Sequence, residues 1–355
     1  MRIAEVARDT RDAIVVTFAV PSALRERFRF AAGQYLTLRV AIDGADVRRS
    51  YSICSAEDDS ELRVAIKRVP DGAFSTWTHA ALTAGTRIAV APPEGRFVRP
   101  SDARDGSAYV GFAAGSGITP LLSIVKTTLA REPHSRFTLV YGNRATSSVM
   151  FREELQRLKD RYLSRFALVF VMSREAQEID LFSGRIDRAR CDALFERWVD
   201  VSGIHTAYVC GPGAMTDDVS AALIAYGVAP ERVRYERFAS PRDRAERATR
   251  RAVVTDATDD IAASAIVDGR ERTFTIARRT ETVLDAALRA GIELPYSCKG
   301  GVCATCRALL VQGEVDMDVN YALEDYEVRR GLILTCQSYP VSEAVVIDVD
   351  RAAHL

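Results

Sequence analysis

Cys298-Lys-Gly-Gly-Val-Cys303-Ala-Thr-Cys306 sets three thiols at C-x4-C-x2-C spacing, and a fourth, Cys336, follows in a separate segment. Three thiolates from one tight loop and one from elsewhere is the ligand arrangement that holds a [2Fe–2S] cluster, two sulfurs to each iron. Zinc is the main competitor, but a zinc ribbon presents two C-x2-C pairs and this chain has one. Gly300 and Gly301 lack a Cβ, so the loop can wrap closely and aim backbone N–H groups at the sulfur. The predicted metal ligands are therefore Cys298, Cys303, Cys306 and Cys336. Seven cysteines is an odd count for a disulfide framework. The first ten residues, MRIAEVARDT, show no secretory signal, so clustered thiols read as metal or redox groups. Cys54 and Cys191 read as small buried residues.

At 355 residues the chain is long enough for two or three domains. Lys and Arg total 48 against 48 Asp and Glu, which leaves no global excess of cations for a nucleic-acid partner. With 48% hydrophobic and 27% charged residues the bulk of the chain is not disordered. No apolar run of about 18 residues occurs, so no membrane span is expected, and the expected location is cytoplasmic.

The rhythm of the sequence changes along the chain. Residues 1–104 carry short strand-like runs at 14–18, 35–40 and 62–67 separated by turn residues, the pattern of an antiparallel barrel or sandwich. Residues 105–238 alternate strand-like and helix-like stretches, which implies right-handed βαβ crossovers and a parallel sheet covered on both faces. Residues 239–253 read as a charged linker without apolar pattern. Residues 254–355 read as a small α+β domain around the cysteine loop.

Two further stretches have the chemistry of phosphate sites. Gly72-Ala73-Phe74-Ser75-Thr76 opens a helix-like stretch at 77–82, where free N–H groups and the helix dipole favour an anion. Gly111-Phe-Ala-Ala-Gly115-Ser-Gly117-Ile-Thr119-Pro120 lies between a strand and a helix. It lacks G-x-G-x-x-G, but a glycine turn still lets a pyrophosphate approach the backbone, with Thr119 and Pro120 starting the helix that faces it. Cys210-Gly211-Pro212 ends a central strand, where ligands of parallel sheets bind.

In this order, with Arg49-Ser50-Tyr51-Ser52 ahead of them, these motifs resemble a ferredoxin–NAD(P)+ reductase module followed by a plant-type ferredoxin domain, over essentially the whole chain. Within that superfamily the runs FAAGQYLTL (30–38), RRSYSICS (48–55), AIKR (65–68), YGNR (141–144), YERF (235–238), NYALE (320–324) and LTCQ (334–337) are similar to the phenylacetate-type oxygenase reductases. The resemblance implies a β-barrel flavin domain, an α/β nicotinamide domain and a β-grasp ferredoxin domain. It implies that Arg49, with Ser50, holds the flavin pyrophosphate, that Tyr51 packs on the isoalloxazine, and that Ser52 lies near N5. Ala65, Ile66, Lys67, Gly72, Phe74, Ser75 and Thr76 would complete the flavin cradle. Gly115, Gly117, Thr119 and Pro120 would bind the dinucleotide. Cys210, Gly211 and Pro212 would border the nicotinamide. Phe238 would cover the other face of the ring, although this chain continues past it where plant-type reductases end. The expected catalytic set is Ser52, Cys210 and Phe238.

The chemistry implied is transfer from NAD(P)H through FAD and the cluster to a partner oxygenase. The alternatives are another oxygenase, such as a ring-hydroxylating or steroid hydroxylase system, or a non-oxygenase acceptor. After the strand at 137–141 come Arg144, Ser147 and Ser148, with no acid until Glu153, and Arg174 follows the next strand. Cations there suit a 2′-phosphate and acids a 2′-hydroxyl, so NADPH is favoured, with NADH as the alternative. His79, His134, His205 and His354 form no ligand pattern. The acids Glu314, Asp316, Asp318, Glu324, Asp325 and Glu327 beside the cluster loop read as a solvated face that could steer a basic partner.

Overall fold

Alternating large apolar residues close the first part of the chain into a barrel. In the computed structural model, which describes residues 1–238 and 260–352, β1 (Arg2–Thr10), β2 (Ala13–Ala19) and β5 (Leu62–Lys67) form one antiparallel sheet. β3 (Tyr35–Ile42), β4 (Ala45–Ser52) and β6 (Ala89–Val90) form the other. Bridges at Ile53 to Val64 and Arg2 to Arg87 join the two. Val16, Phe18, Leu36, Leu38, Val64 and Ile66 fill the interior. The β3–β4 hairpin turns on Asp43-Gly44, both at positive φ (51° and 79°), the pairing that matches the twist of its strands. Arg49-Ser50-Tyr51-Ser52 lies within β4 and pairs residue by residue with β3. Helix α1 (Ala73–Ala81) begins before residue 77, because Ser75 Oγ ties its first turn to Gly72 and Val69 while Phe74 enters the barrel core.

The parallel sheet follows from strands that are apolar on both faces. β7 (Ala108–Ala114), β8 (Arg136–Asn143), β9 (Phe166–Met172), β10 (Ile204–Gly211) and β11 (Val233–Arg237) lie in the order β11-β10-β7-β8-β9. Along β7, Tyr109 and Ala113 face α2 (Ile118–Arg131). Val110 and Phe112 face the other side, where α4 (Arg188–Arg197) and α5 (Gly213–Ala225) supply Leu194, Val219 and Leu223. The order reverses between β7 and β10, so the loops after these two strands diverge and leave a crevice at their carboxyl ends. The barrel and this sheet belong to one unit, Met1–Arg237. The remaining helix, α3 (Arg152–Arg161), begins after Phe151 at φ 56°, whose N–H donates to Asp9 of β1 at 3.0 Å.

The second unit spans Phe238–Leu355. The charged stretch expected at 239–253 lies outside the described residues, as does His354. β12 (Asp260–Val267), β13 (Arg270–Ala277), β14 (Arg307–Gln312), β16 (Leu332–Leu334) and β18 (Ala344–Asp348) form a mixed sheet in the order β13-β12-β18-β14-β16. β12 and β18 run parallel and the other pairs antiparallel. Helix α6 (Val283–Arg289) packs Val283, Leu284, Ala286 and Ala287 on the sheet, and Thr282 Oγ1 caps it by accepting from Asp285 N at 3.0 Å. A small pair, β15 (Val315–Met317) with β17 (Ser338–Pro340), lies after the cysteine loop. Glu327 is not part of a solvated acidic face: it is 1% exposed and accepts from Glu324 N at the start of the short helix Asp325–Arg329.

Candidate redox sites

The cysteine loop closes through backbone conformations that few residues accept. Lys299 and Ala304 hold φ of 49° and 51°, and Gly301 holds 76°. A Cβ on Gly301 would stand 2.8 Å from the Val319 carbonyl oxygen, so glycine is required there for approach as well as for φ. The four thiols gather two and two. Cys298 interacts with Cys303, and Cys306 with Cys336. Among the described residues no group of three or more His, Cys, Asp or Glu is placed to share a single metal ion. Pairing by twos is what a binuclear cluster with two thiolates per iron requires. Gly300 N donates to Cys298 Sγ at 3.3 Å and Gln337 Nε2 to Cys336 Sγ at 3.5 Å. Gln337 Nε2 also reaches the Lys299 carbonyl at 3.2 Å, tying the fourth-ligand segment to the loop. Lys299 Nζ pairs with Asp285 Oδ1 at 2.7 Å and sits 4.8 Å from the Tyr296 ring centre, anchoring the loop to α6. These donors and this packing fit a [2Fe–2S] cluster.

The crevice between β7 and β10 is built on one close approach. A Cβ on Gly117 would stand 2.0 Å from the Cys210 carbonyl oxygen and 3.2 Å from Cys210 Sγ. The Gly115–Gly117 turn therefore lies against the end of β10, and α2 starts from it with no side chain capping its N-terminus. Thr119 and Pro120 are buried in that first turn, and Thr119 Oγ1 donates to the Ser116 carbonyl at 3.0 Å. Cys210 is fully buried and desolvation raises its thiol well above the usual range, so it stays neutral. Gly211 packs against Met215, and Pro212 precedes α5. Lys67, from the barrel, reaches to 3.5 Å of where a Gly115 Cβ would be. Burial and the Arg144 guanidinium depress its ammonium. A lysine at a glycine turn, with an arginine close enough to depress it, fits a pyrophosphate. At the outer end of the crevice, Arg174 N donates to the Arg144 carbonyl and Ser173 N to the Asn143 carbonyl, both at 2.8 Å. Arg144, Ser147, Ser173 and Arg174 are all exposed there. Beside them Glu175 is taken up by Thr146, whose N–H donates to it at 2.8 Å.

On the barrel side, Arg49 is half-buried and Tyr51 packs on Phe74 with ring centres 5.6 Å apart and planes tilted by 39°, with burial raising the Tyr51 phenol. Ser50 lies beside them on β4. Ile66 is buried inside the barrel and Ala65, on the opposite face of β5, is buried in the core shared with α2, so only their backbone can face a ligand, and the Ile66 carbonyl is already met by His79 Nε2 at 3.1 Å. The start of α1 at Gly72 has no side-chain cap, with Thr76 exposed on its first turn. Open amides at a helix start, an arginine and a tyrosine packed on a phenylalanine fit a flavin nucleotide. His134 is held by Asp105 and His205 by Thr206, consistent with structural roles for both.

Residues 1–98 match the oxidoreductase FAD-binding domain family, 112–221 the oxidoreductase NAD-binding domain family, and 265–341 the 2Fe-2S iron-sulfur cluster binding domain family. The chain is 42% identical over 350 residues to a subunit of the 1,2-phenylacetyl-CoA epoxidase of Escherichia coli K12, covering 99% of this chain and 97% of that protein. The chain belongs to the FAD- and [2Fe–2S]-containing reductase family. A second member of this reductase family, the 3-ketosteroid-9-alpha-monooxygenase ferredoxin reductase component of Mycobacterium tuberculosis CDC 1551, is 35% identical over 360 residues, covering 99% of this chain and 96% of that protein. The crystal structure of phthalate dioxygenase reductase shares the fold, with a TM-score of 0.63 at 24% identity, covering 98% of this chain and 97% of that one. Among the described residues no helix of this reductase is long and apolar enough to cross a membrane.

One residue beside the predicted Ser52 and Cys210 escapes sequence reasoning. Glu236, on β11, brings Oε2 to 3.3 Å from Ser52 Oγ and 4.0 Å from Cys210 Sγ. The three side chains come from the barrel, from β10 and from the outer strand of the sheet, and they meet where the two folds touch. Nothing in YERF marks an acid as special. The available signal is placement alone, because Glu236 pairs in register with Cys210 at the carboxyl end of the sheet. Phe238, two residues on, is 42% exposed.

Proposed function

We propose that this reductase draws electrons from NADPH and passes them, through FAD and its cluster, to an oxygenase of the phenylacetyl-CoA epoxidase type. The observation that carries the reading is the union, in one chain, of a paired four-thiol loop with a crevice where Gly117, Cys210, Ser52 and Glu236 meet. The acceptor follows from 42% identity along the whole chain to the epoxidase component, against 35% to the ketosteroid one. When bound, the three groups supply the redox chemistry: a nicotinamide gives up two electrons as a hydride, and flavin and cluster hand them on singly.

The chain supplies binding and orientation. Arg49, Ser50 and the open start of α1 at Gly72–Thr76 would hold the flavin phosphates, with Tyr51 and Phe74 against the ring and the backbone of Ala65 and Ile66 along its edge. FAD rather than FMN rests on the family likeness. Lys67 and Arg144 would seat the dinucleotide pyrophosphate over Gly115 and Gly117, and its charge would relieve their mutual repulsion. Arg174 and Ser147 would take the 2′-phosphate, since Glu175 is occupied by Thr146 and is not free to grip a 2′-hydroxyl. The neutral Cys210 thiol, with Gly211 and Pro212, would wall the nicotinamide side. Ser52 and Glu236 would hold a proton at the reacting edge, and Phe238 would cover the ring. Exclusion of water and fixed geometry are the chain's contribution to rate.

An anaerobic titration of the loaded protein, with NADPH and NADH in parallel, tests this reading. Flavin and cluster bands should both bleach, and at lower NADPH than NADH. Coupled turnover should be faster with the epoxidase oxygenase than with the ketosteroid one. Bleaching at lower NADH would refute the NADPH reading, an oxidised cluster beside a bleached flavin would refute the electron path, and no turnover with the epoxidase would refute the acceptor.

A further inference from the structure

Tyr141 places a fully buried hydroxyl against the dinucleotide turn. It stands on β8 with 0% of its surface exposed, among the side chains that pack α2 on the sheet. Its hydroxyl donates to the Gly115 carbonyl at 2.8 Å. The Asn143 side chain and the Met150 backbone also interact with the hydroxyl, and burial pushes the phenol far above its usual range, so it remains a donor at any pH at which the protein folds. Gly115 is held at φ 54°, and its carbonyl also accepts from Ile118 N at the start of α2.

A trans peptide carries its C=O and N–H in opposite directions. A hydroxyl that pins the Gly115 carbonyl toward the core therefore turns the Ser116 N–H away from it. We infer that Tyr141 is a positioning residue for dinucleotide binding: its hydroxyl fixes the Gly115–Ser116 peptide plane and so pre-organises the amide that meets the phosphate. This inference rests on the reading of Gly115–Thr119 as the pyrophosphate seat. Pre-organisation of this kind raises affinity by removing the ordering cost at the moment of binding.

Isothermal titration of the flavin-loaded protein with NADP+ tests it. Tyr141→Phe keeps the ring and removes only the donor, and should weaken NADP+ about tenfold, as the loss of one buried hydrogen bond does. KM for NADPH should rise in parallel while kcat with ferricyanide stays within about twofold and flavin content is unchanged. Tyr208→Phe is the control: Tyr208 is equally buried on β10, on the far side of β7 from β8, and its hydroxyl has no partner among the described residues, so its loss should leave NADP+ affinity unaltered. Ser116→Asp, at a half-exposed position of the turn, places a carboxylate where the phosphate would sit and tests the underlying reading. Wild-type affinity in Tyr141→Phe with lost binding in Ser116→Asp would overturn the role of Tyr141 and leave the seat intact. Wild-type affinity in Ser116→Asp would overturn the seat and the inference with it. Equal weakening in Tyr141→Phe and Tyr208→Phe would reduce Tyr141 to packing and overturn its positioning role.

Discussion

Gly117→Ala isolates the close approach on which the proposed nicotinamide crevice depends. Gly117 has φ −62° and ψ −9°, a conformation alanine adopts freely, so the substitution carries no backbone penalty. The cost is steric. The new methyl would lie 2.0 Å from the Cys210 carbonyl oxygen and 2.6 Å from its carbon. An ordinary C···O contact is about 3.3 Å, so the turn and the end of β10 must part by roughly 1.3 Å. Neither side yields easily, because Cys210 pairs with Ala113 on β7 and Glu236 on β11, and Gly117 opens α2. Overpacking of this kind costs about 1–3 kcal/mol, which in a unit of this size lowers Tm by about 3–10 °C. The larger effect falls on rate, since a displacement of about 1 Å at reacting groups costs on the order of 100-fold. Anaerobic stopped-flow of the loaded protein should show flavin bleaching by NADPH slowed to that extent, with dithionite still bleaching flavin and cluster as in the parent. A variant with unchanged Tm and unchanged NADPH bleaching would show that the crevice does not need this contact, and the argument from Gly117 would fail.

Glu236→Gln keeps the shape at Ser52 and Cys210 but removes the carboxylate, and should slow flavin reduction by about 100-fold with NADP+ affinity unchanged; an unaltered rate would take Glu236 out of the site. Arg174→Ala should raise KM for NADPH about tenfold or more, as loss of a charged contact does, and leave NADH within about twofold; equal effects on both cofactors would place the 2′-phosphate elsewhere. Cys336→Ser should abolish the cluster bands while NADPH still bleaches the flavin, and retention of the cluster would break the four-ligand assignment. Asp9 is raised chiefly by burial, despite the Phe151 N–H it accepts. An acid raised in the fold costs nothing below its unfolded value of about 3.9 and most above its folded value. Asp9→Asn keeps an acceptor for Phe151 and should raise Tm at pH 7 with little change near pH 3, and an equal shift at both would refute the linkage.

The legible parts of this chain are those whose chemistry is local. The thiol spacing from Cys298 to Cys306 encodes its own loop, and the apolar strands between 108 and 211 encode a parallel sheet, because each signal is complete within a few residues. The crevice is different. Gly117 and Cys210 are both visible as motifs, yet that one must be glycine because of the other's carbonyl is a fact of packing between strand end and helix start. Glu236 is further out of reach, since its partner Ser52 lies 184 residues away in sequence. Helix α1 shows the same limit in miniature: its apolar pattern is readable from residue 77, but its start at Ala73 depends on Ser75 closing a turn with Val69 and Gly72.

The meeting of Ser52 and Glu236 imposes a demand on how the barrel sits on the sheet, and the contacts between them answer it. Arg63 of β5 pairs with Glu154 of α3 at 3.0 Å, and Lys126 of α2 pairs with Asp59 at 2.6 Å and with Glu154 at 2.9 Å. Arg131 engages both Glu57 and Asp58, and Glu57 in turn accepts from Ala32 N at 2.7 Å. Pairs that keep contact with solvent, as these do, add little stability. Their property is direction. Apolar contact tolerates sliding, because burial counts area and not angle, whereas a guanidinium or ammonium between two carboxylates fixes both distance and orientation. A crevice assembled from two folds needs its halves aligned to a fraction of an ångström. The apolar seam that buries Ala13, Ala32, Ala65 and Phe97 with α2 and the sheet holds the halves together, and the charged, half-buried pairs around Glu154 and Lys126 add direction to it.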